Sequence, residues 1–133
     1  ITVTWHHAMY RVMGETQARQ LERLYLLPGV GLCGGGEGPS SIDLVTPMME
    51  WVEQGRAPDV ITTSKAAPNG SVPTGTTRTA VRPLYPYPEF AQFTGRGDLT
   101  TFDSWRRATG RSQVALREWA GSGFYEPYSF LSH

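Results

Sequence analysis

The side chains able to do chemistry are few, and their spacing limits what they can do. The single cysteine, Cys33, lies in a glycine-dense stretch reading Pro28-Gly29-Val30-Gly31-Leu32-Cys33-Gly34-Gly35-Gly36-Glu37-Gly38. A loop of this kind directly after a buried strand is where α/β enzymes place catalytic groups. It is therefore the candidate site, with Gly29, Gly31, Gly34 and Gly35 as the loop around Leu32 and Cys33. The glycines do not make a phosphate cradle, because the lysine and the Gly-Lys-Ser/Thr ending of a P-loop are missing. One cysteine cannot form an internal disulfide, and a nucleophilic thiol would need a nearby base that the neighbouring sequence does not offer. His6, His7 and His133 have no metal-ligand spacing, and adjacent His6 and His7 would point about 100° apart on a helix. They read as surface or partly packed histidines, and no metal or cofactor is expected. Asp43, Glu50, Glu53 and Asp59 form no evident acid–base pair, and Asp59 reads as a turn or capping residue. Gly121-Ser122-Gly123 reads as a turn.

Several elements must position that loop. Thr4 to Met13 carries Trp5, Met9, Val12 and Met13 at helical spacing before Gly14, which predicts an amphipathic helix. Glu15 to Gln20 reads as a polar connector, and Leu21 to Leu27 as a buried strand stopped by Pro28-Gly29. After the loop, Leu44, Val45, Met48, Met49 and Val52 recur at helical spacing over residues 43–54, with Gly55 as C-cap. Pro47 is best placed in the first turn, with Thr46 as N-cap. Asp59 to Thr63 is β-branched and predicts a strand; Thr76 to Val81 predicts its antiparallel partner across a Pro/Gly/Asn-rich loop over 66–75. Arg82 to Gly97 is a proline and aromatic tract, expected to be extended and packed on the body. Its Tyr85, Tyr87, Phe90 and Phe93 read as packing aromatics in preference to a recognition surface. Ser112 to Ala120 predicts a last helix.

Three segments together carry a resemblance: Leu27-Pro28-Gly29-Val30-Gly31-Leu32-Cys33 with its glycines, Trp51-Val52-Glu53-Gln54-Gly55-Arg56-Ala57-Pro58-Asp59, and Arg82-Pro83-Leu84-Tyr85-Pro86-Tyr87-Pro88. From about Thr4 to about Phe102 the chain resembles the C-terminal part of the tannase and feruloyl esterase family, secreted α/β-hydrolase serine esterases that cleave phenolic esters. The resemblance implies an α/β fold: the C-terminal segment of an α/β-hydrolase-like sheet with flanking helices, a small terminal β-hairpin and Pro/Gly-rich extended segments. Residues 1–104 would be that segment, and 105–133 an unassigned tail with a helix near 112–120. It also implies a secreted or periplasmic protein.

The family's loop usually reads Pro-Gly-Met-Gly-His-Cys-x-Gly-Gly, and its histidine is the triad base. Here Leu32 occupies that position, and a leucine accepts no proton at any pH. The sequence has no Gly-x-Ser-x-Gly elbow for the nucleophile, and the family's orienting acid would precede the helix at Thr4–Met13. No catalytic residue is therefore recognisable in the chain. Cys33 aligns with a family cysteine that is disulfide-bonded beside the nucleophilic serine. A partly packed thiol and a bridge to a missing partner both stay open. Tyr85 stands where the family commonly has another cysteine, whose mate would fall around Phe102 to Ser104, so both members of that pair are replaced together.

The bulk composition narrows the partners. Twelve basic and twelve acidic residues give a formal net charge of zero, which offers no electrostatic case for nucleic acid or an anionic membrane. No apolar run approaches membrane-spanning length. The 15 glycines and 10 prolines imply much irregular structure around a small regular core. The N-terminus lacks signal-peptide regions and an initiator Met, which leads to the expectation of a processed product or fragment. Expected partners are a larger chain carrying serine and acid, or a second copy, with a small phenolic ester as substrate if the chain is active. The alternatives are a catalytically inactive binding or structural module, and an independent small domain completed by 105–133.

Overall fold

The structure, a computed structural model, describes residues 2–32, 35–65 and 80–110. The predicted loop over 66–75, the start of the strand at Thr76, the helix at Ser112–Ala120, Ser122, Cys33, Gly34 and His133 lie outside the described residues. The chain divides into two compact units, whose described parts are residues 2–24 in the first and 25–32, 35–65 and 80–110 in the second.

The first unit contains helices α1 (Thr2–Met13) and α2 (Glu15–Leu21), joined at Gly14. Gly14 has φ +82°, which only glycine adopts without strain. The expected apolar face of α1 is not the buried one: Trp5 and Val12 are exposed, and Thr4, His6 and Ala8 are covered instead. The predicted connector is α2. Glu, Gln, Ala, Arg and Leu all favour helix, and the i,i+4 pair Glu15–Arg19 at 2.8 Å adds to it.

The second unit is built on antiparallel pairing. A three-stranded sheet has the order β1 (Ser41–Ile42), β2 (Ile61–Lys65), β3 (Ala80–Leu84). β2 and β3 pair along their whole length, with Thr63 opposite Arg82 and Ile61 opposite Leu84. This is the expected hairpin, with β2 two residues further towards the C-terminus than predicted and β3 ending three residues beyond the predicted Val81. Ile61, Thr63, Pro83 and Leu84 are buried. Fully buried Thr63 spends its hydroxyl on the Arg82 carbonyl at 3.0 Å, as a buried polar group must.

The stretch Leu21–Leu27 is not a strand. Leu21 ends α2, and only Tyr25 makes an isolated antiparallel bridge, to Pro86. An apolar run becomes a strand only if a neighbouring edge satisfies its backbone groups. Conversely, the proline–aromatic tract is more regular than expected. Arg82–Leu84 belongs to β3, the Tyr87–Pro88 peptide is cis, and β4 (Glu89–Phe93) pairs with β5 (Trp105–Thr109). The start of the unassigned tail is thus a strand.

Arg107 on β5 ties this hairpin down. It meets Asp59 Oδ2 at 2.5 Å and Glu89 at 3.3 Å, and its guanidinium lies 4.6 Å from the Tyr85 ring centroid. Asp59 is therefore an ion-pair partner and not simply a turn residue. Phe93 packs edge-on against Trp105 at 5.7 Å, and Arg82 stacks over Trp105 at 4.2 Å. Tyr87 is buried, so Tyr85, Tyr87 and Phe93 serve packing as expected, whereas Phe90 is 44% exposed.

Thr63→Val keeps the shape of the β2–β3 core and removes one hydrogen bond, so it should cost about 1 kcal/mol. Urea unfolding monitored by tryptophan fluorescence checks this, and an unchanged midpoint would contradict the role given to the hydroxyl.

Candidate functional site

The loop after Leu27 is held by its own backbone. Gly29 takes φ +76°, and its carbonyl accepts from the Gly38 amide at 2.8 Å; the Gly31 amide donates to the Gly35 carbonyl at 3.1 Å. The two arms approach so closely that side chains are excluded. A Cβ on Gly36 would lie 2.3 Å from the Gly29 oxygen, and one on Gly38 would lie 2.2 Å from the Pro28 oxygen. Real Cβ atoms do not come so near, so glycine here is a contact requirement as well as a conformational one. Lys65 holds the outgoing arm, with Nζ donating to the Glu37 carbonyl at 3.3 Å. Ahead of the loop, the Tyr25 hydroxyl donates to the Pro58 carbonyl at 2.5 Å.

Leu32 is fully exposed, at 104% of its reference area. Gly29, Gly31 and Gly35 surround it in the same loop and are also exposed. An apolar side chain held in water by a rigid loop gains nothing from burial. It also supplies no lone pair to a reacting group.

Downstream, Asp43 caps α3 (Val45–Gln54). Its Oδ1 accepts from the Val45 amide at 2.9 Å and the Thr46 amide at 3.1 Å. Hydrogen bonds from the Thr46 hydroxyl and amide, followed by that from Val45, hold this carboxyl below its ordinary value. The helix thus starts before the expected Thr46 cap. Pro47 fits its first turn, where an amide would have no intrahelical partner. Gly55 closes the helix in the left-handed conformation with φ +68°, as expected.

Between α3 and the β1–β2 edge runs a groove of about 420 Å³ lined by Ser41, Asp43, Thr46, Glu50 and Thr62 among others. Its carboxylates have other duties: Asp43 caps the helix, and Glu50 lies 3.9 Å from Arg56. Among the described residues, neither histidine nor cysteine lines it. Among the described residues, no group of three or more His, Cys, Asp or Glu side chains could hold a metal ion.

One pairing was invisible in the sequence. In the first unit, buried His6 places Nδ1 2.8 Å from Glu22 Oε2, its ring 4.3 Å from that of Tyr10 and 5.7 Å from that of His7. The partners are 16 residues apart and Glu22 is the C-cap of α2, a helix that the apolar pattern does not announce. Burial, and then the charges of His6 and Arg11, lower the pKa of His7 below 6.5. Burial, and then the Glu22 carboxylate, raise that of the Tyr10 phenol.

These features define an α/β segment with a glycine loop closed by its own backbone, on which Leu32 offers no proton acceptor. Residues 1–108 match the family described as tannase and feruloyl esterase, and the chain belongs to that family. A probable feruloyl esterase of Arthroderma benhamiae is 36% identical over 101 residues, covering 74% of this chain and 18% of that protein. The mono(2-hydroxyethyl) terephthalate hydrolase of Piscinibacter sakaiensis is 42% identical over 79 residues, covering 59% of this chain and 12% of that protein. Among solved structures, an esterase from Aspergillus oryzae superposes with a TM-score of 0.60 at 25% identity, covering 70% of this chain and 20% of that one. The chain therefore spans less than a fifth of the length of these two curated relatives.

Gly36→Ala should break the closure of the loop. The expected result is at least tenfold faster exchange of the Gly38 amide, with the far-ultraviolet circular dichroism unchanged. Gly95→Ala, at φ +81° with nothing within 4 Å of the added Cβ, carries the conformational cost without the collision and should leave that amide alone. Equal effects of the two would show that close approach is not what holds the loop.

His7 gives a pH signature. Below pH 6.5 the unfolded chain protonates this histidine before the folded one does, so its contribution to stability is lost as pH falls. The drop in urea midpoint between pH 7.5 and 5.5 should be smaller in His7→Asn than in the parent chain.

Proposed function

We propose that these residues form part of a carboxylic ester hydrolase of the tannase and feruloyl esterase type, acting on phenolic or other aromatic esters. In this reading, serine and acid come from residues outside these 133, and an acyl-serine intermediate carries the reaction. The match of residues 1–108 to the family supports it above all. The esterase and hydrolase names of the relatives point to the same bond class. A secreted protein is the reading consistent with that family, and no helix among the described residues is long and apolar enough to cross a membrane.

The local contribution of the chain is the glycine loop. It would present residue 32 to the reacting centre on a backbone fixed by the Gly38–Gly29 hydrogen bond. With leucine there, the loop contributes shape and no proton transfer. That observation favours a second reading, in which this family member binds an aromatic ester and does not turn it over.

The test joins the 133-residue chain to an esterase body, in place of the matching 101 residues of the Arthroderma benhamiae protein. It compares Leu32 with Leu32→His on methyl ferulate, methyl gallate and a short p-nitrophenyl ester. A restored general base should raise turnover by about 10²–10⁴-fold, and a serine-reactive inhibitor should abolish it. The 133-residue chain alone should hydrolyse nothing with either residue. Turnover by that chain above a heat-treated control, or a folded joined protein in which histidine gains nothing, would refute the assignment. Binding of methyl ferulate without turnover by the Leu32 form is the result that favours the second reading.

A further inference from the structure

The hydrogen bonds that close the glycine loop fix its shape but not its direction. Gly38 to Gly29 and Gly31 to Gly35 both join atoms inside the loop, so a swing of the whole loop about its stem changes neither. The direction in which residue 32 points is set where the stem meets the rest of the unit. On the outgoing side the chain soon enters β1 and pairs with β2. On the incoming side Leu21–Leu27 forms no strand, and Tyr25 makes two contacts in its place. Its backbone bridges Pro86, and its half-buried side chain reaches the Pro58 carbonyl, which accepts from the hydroxyl at 2.5 Å.

Pro58 is a firm anchor. It lies between the Gly55 cap of α3 and the start of β2, and its carbonyl is its one backbone polar group, since proline has no amide hydrogen. The next residue is gripped from β5: Arg107 Nη2 donates to the Asp59 carbonyl at 3.1 Å and to its carboxylate at 2.5 Å. Arg107 is itself braced by Glu89 on β4 at 3.3 Å. A line of contacts therefore runs from β5 through Asp59 and Pro58 to Tyr25 and the stem of the loop.

We infer that Tyr25 is a positioning residue: its hydroxyl, anchored on Pro58 and through Asp59 on Arg107, sets the direction in which the loop presents residue 32. This rests on the esterase reading above and assigns part of that site's geometry to β5, a strand remote from the loop in sequence. A general base works only within hydrogen-bond reach of its proton, and misplacement by roughly 1 Å can cost about 10²-fold in rate.

The direction can be read without turnover. In the 133-residue chain, residual dipolar couplings of the Gly31 and Gly38 amides report the loop's orientation against the amides of β2 and β3. Tyr25→Phe should take these couplings off the alignment that fits the two strands, while the Gly38 amide stays protected from exchange. In the joined protein carrying Leu32→His, Tyr25→Phe should lower kcat about tenfold and leave KM within about twofold, because it moves the base and not the substrate's contacts. Arg107→Gln should act in the same way, and adding it to Tyr25→Phe should cost little more, since both break one line of contacts. Arg106→Gln, which breaks the contact to Gln92 at 2.9 Å on the same hairpin, is the control and should change neither readout.

Couplings in Tyr25→Phe that still fit the parent alignment would overturn the inference. So would a loss confined to KM, or full additivity of the Tyr25 and Arg107 substitutions. Absence of turnover in the joined Leu32→His protein refutes the esterase assignment, and the couplings then decide the role of Tyr25 by themselves. Turnover indifferent to Tyr25→Phe refutes the positioning role and leaves the esterase assignment standing.

Discussion

The ladder between β2 and β3 is the constraint on which the second unit depends. It pairs five residues with five, and both of its outer edges are used. β1 adds to β2 through Ser41 and Ile42, which fixes where the glycine loop must end. On the other side, the Val81 amide donates to the Thr100 carbonyl at 2.7 Å, which fixes the segment that leads into β5. Tyr25 reaches Pro86, just past β3, so the segment entering the loop is referred to the same strand. The loop's start and finish are thus both set by one hairpin. Within it, Thr63 is buried with its hydroxyl satisfied, and a wrong register would leave that group without its acceptor.

Much of this was legible, where local chemistry decides the outcome. Gly55 announces the end of α3 because only glycine takes the left-handed cap readily. The β-branched run at Ile61–Thr63 announces a strand, and its antiparallel partner follows one loop later. Pro28-Gly29 announces a turn and the start of an irregular segment. Each of these depends on the residue's own backbone preferences, which the surroundings do not reverse.

What escaped the sequence depends on partners. Leu21–Leu27 has the composition of a strand, yet only Tyr25 finds a bridge. The α2 helix has no apolar stripe, and helix-favouring composition alone was a weaker signal than the polarity that made it look like a connector. The β4–β5 hairpin hides behind Pro83, Pro86 and Pro88, which precede β4 and do not interrupt it. His6 reads as a surface or partly packed histidine, and its partner Glu22 emerges only once α2 places it opposite. Asp59 and Arg107 are 48 residues apart, a separation that no motif spans. For Tyr25, His6 and Asp59 the missing information was tertiary; for α2 the signal was local and was outweighed by its polarity.

The geometry of the loop and the chemistry of the loop are set by different atoms. Its closure comes from backbone groups of Gly29, Gly31, Gly35 and Gly38, and from the lack of a Cβ at Gly36 and Gly38. Residue 32 takes no part in that closure, since its side chain is entirely in water. The fold therefore exerts little selection on the identity of residue 32, and leucine stands there without disturbing a contact. The scaffold of the loop and the side chain it carries are thus separable: replacing residue 32 changes what the loop can do without touching the hydrogen bonds that close it.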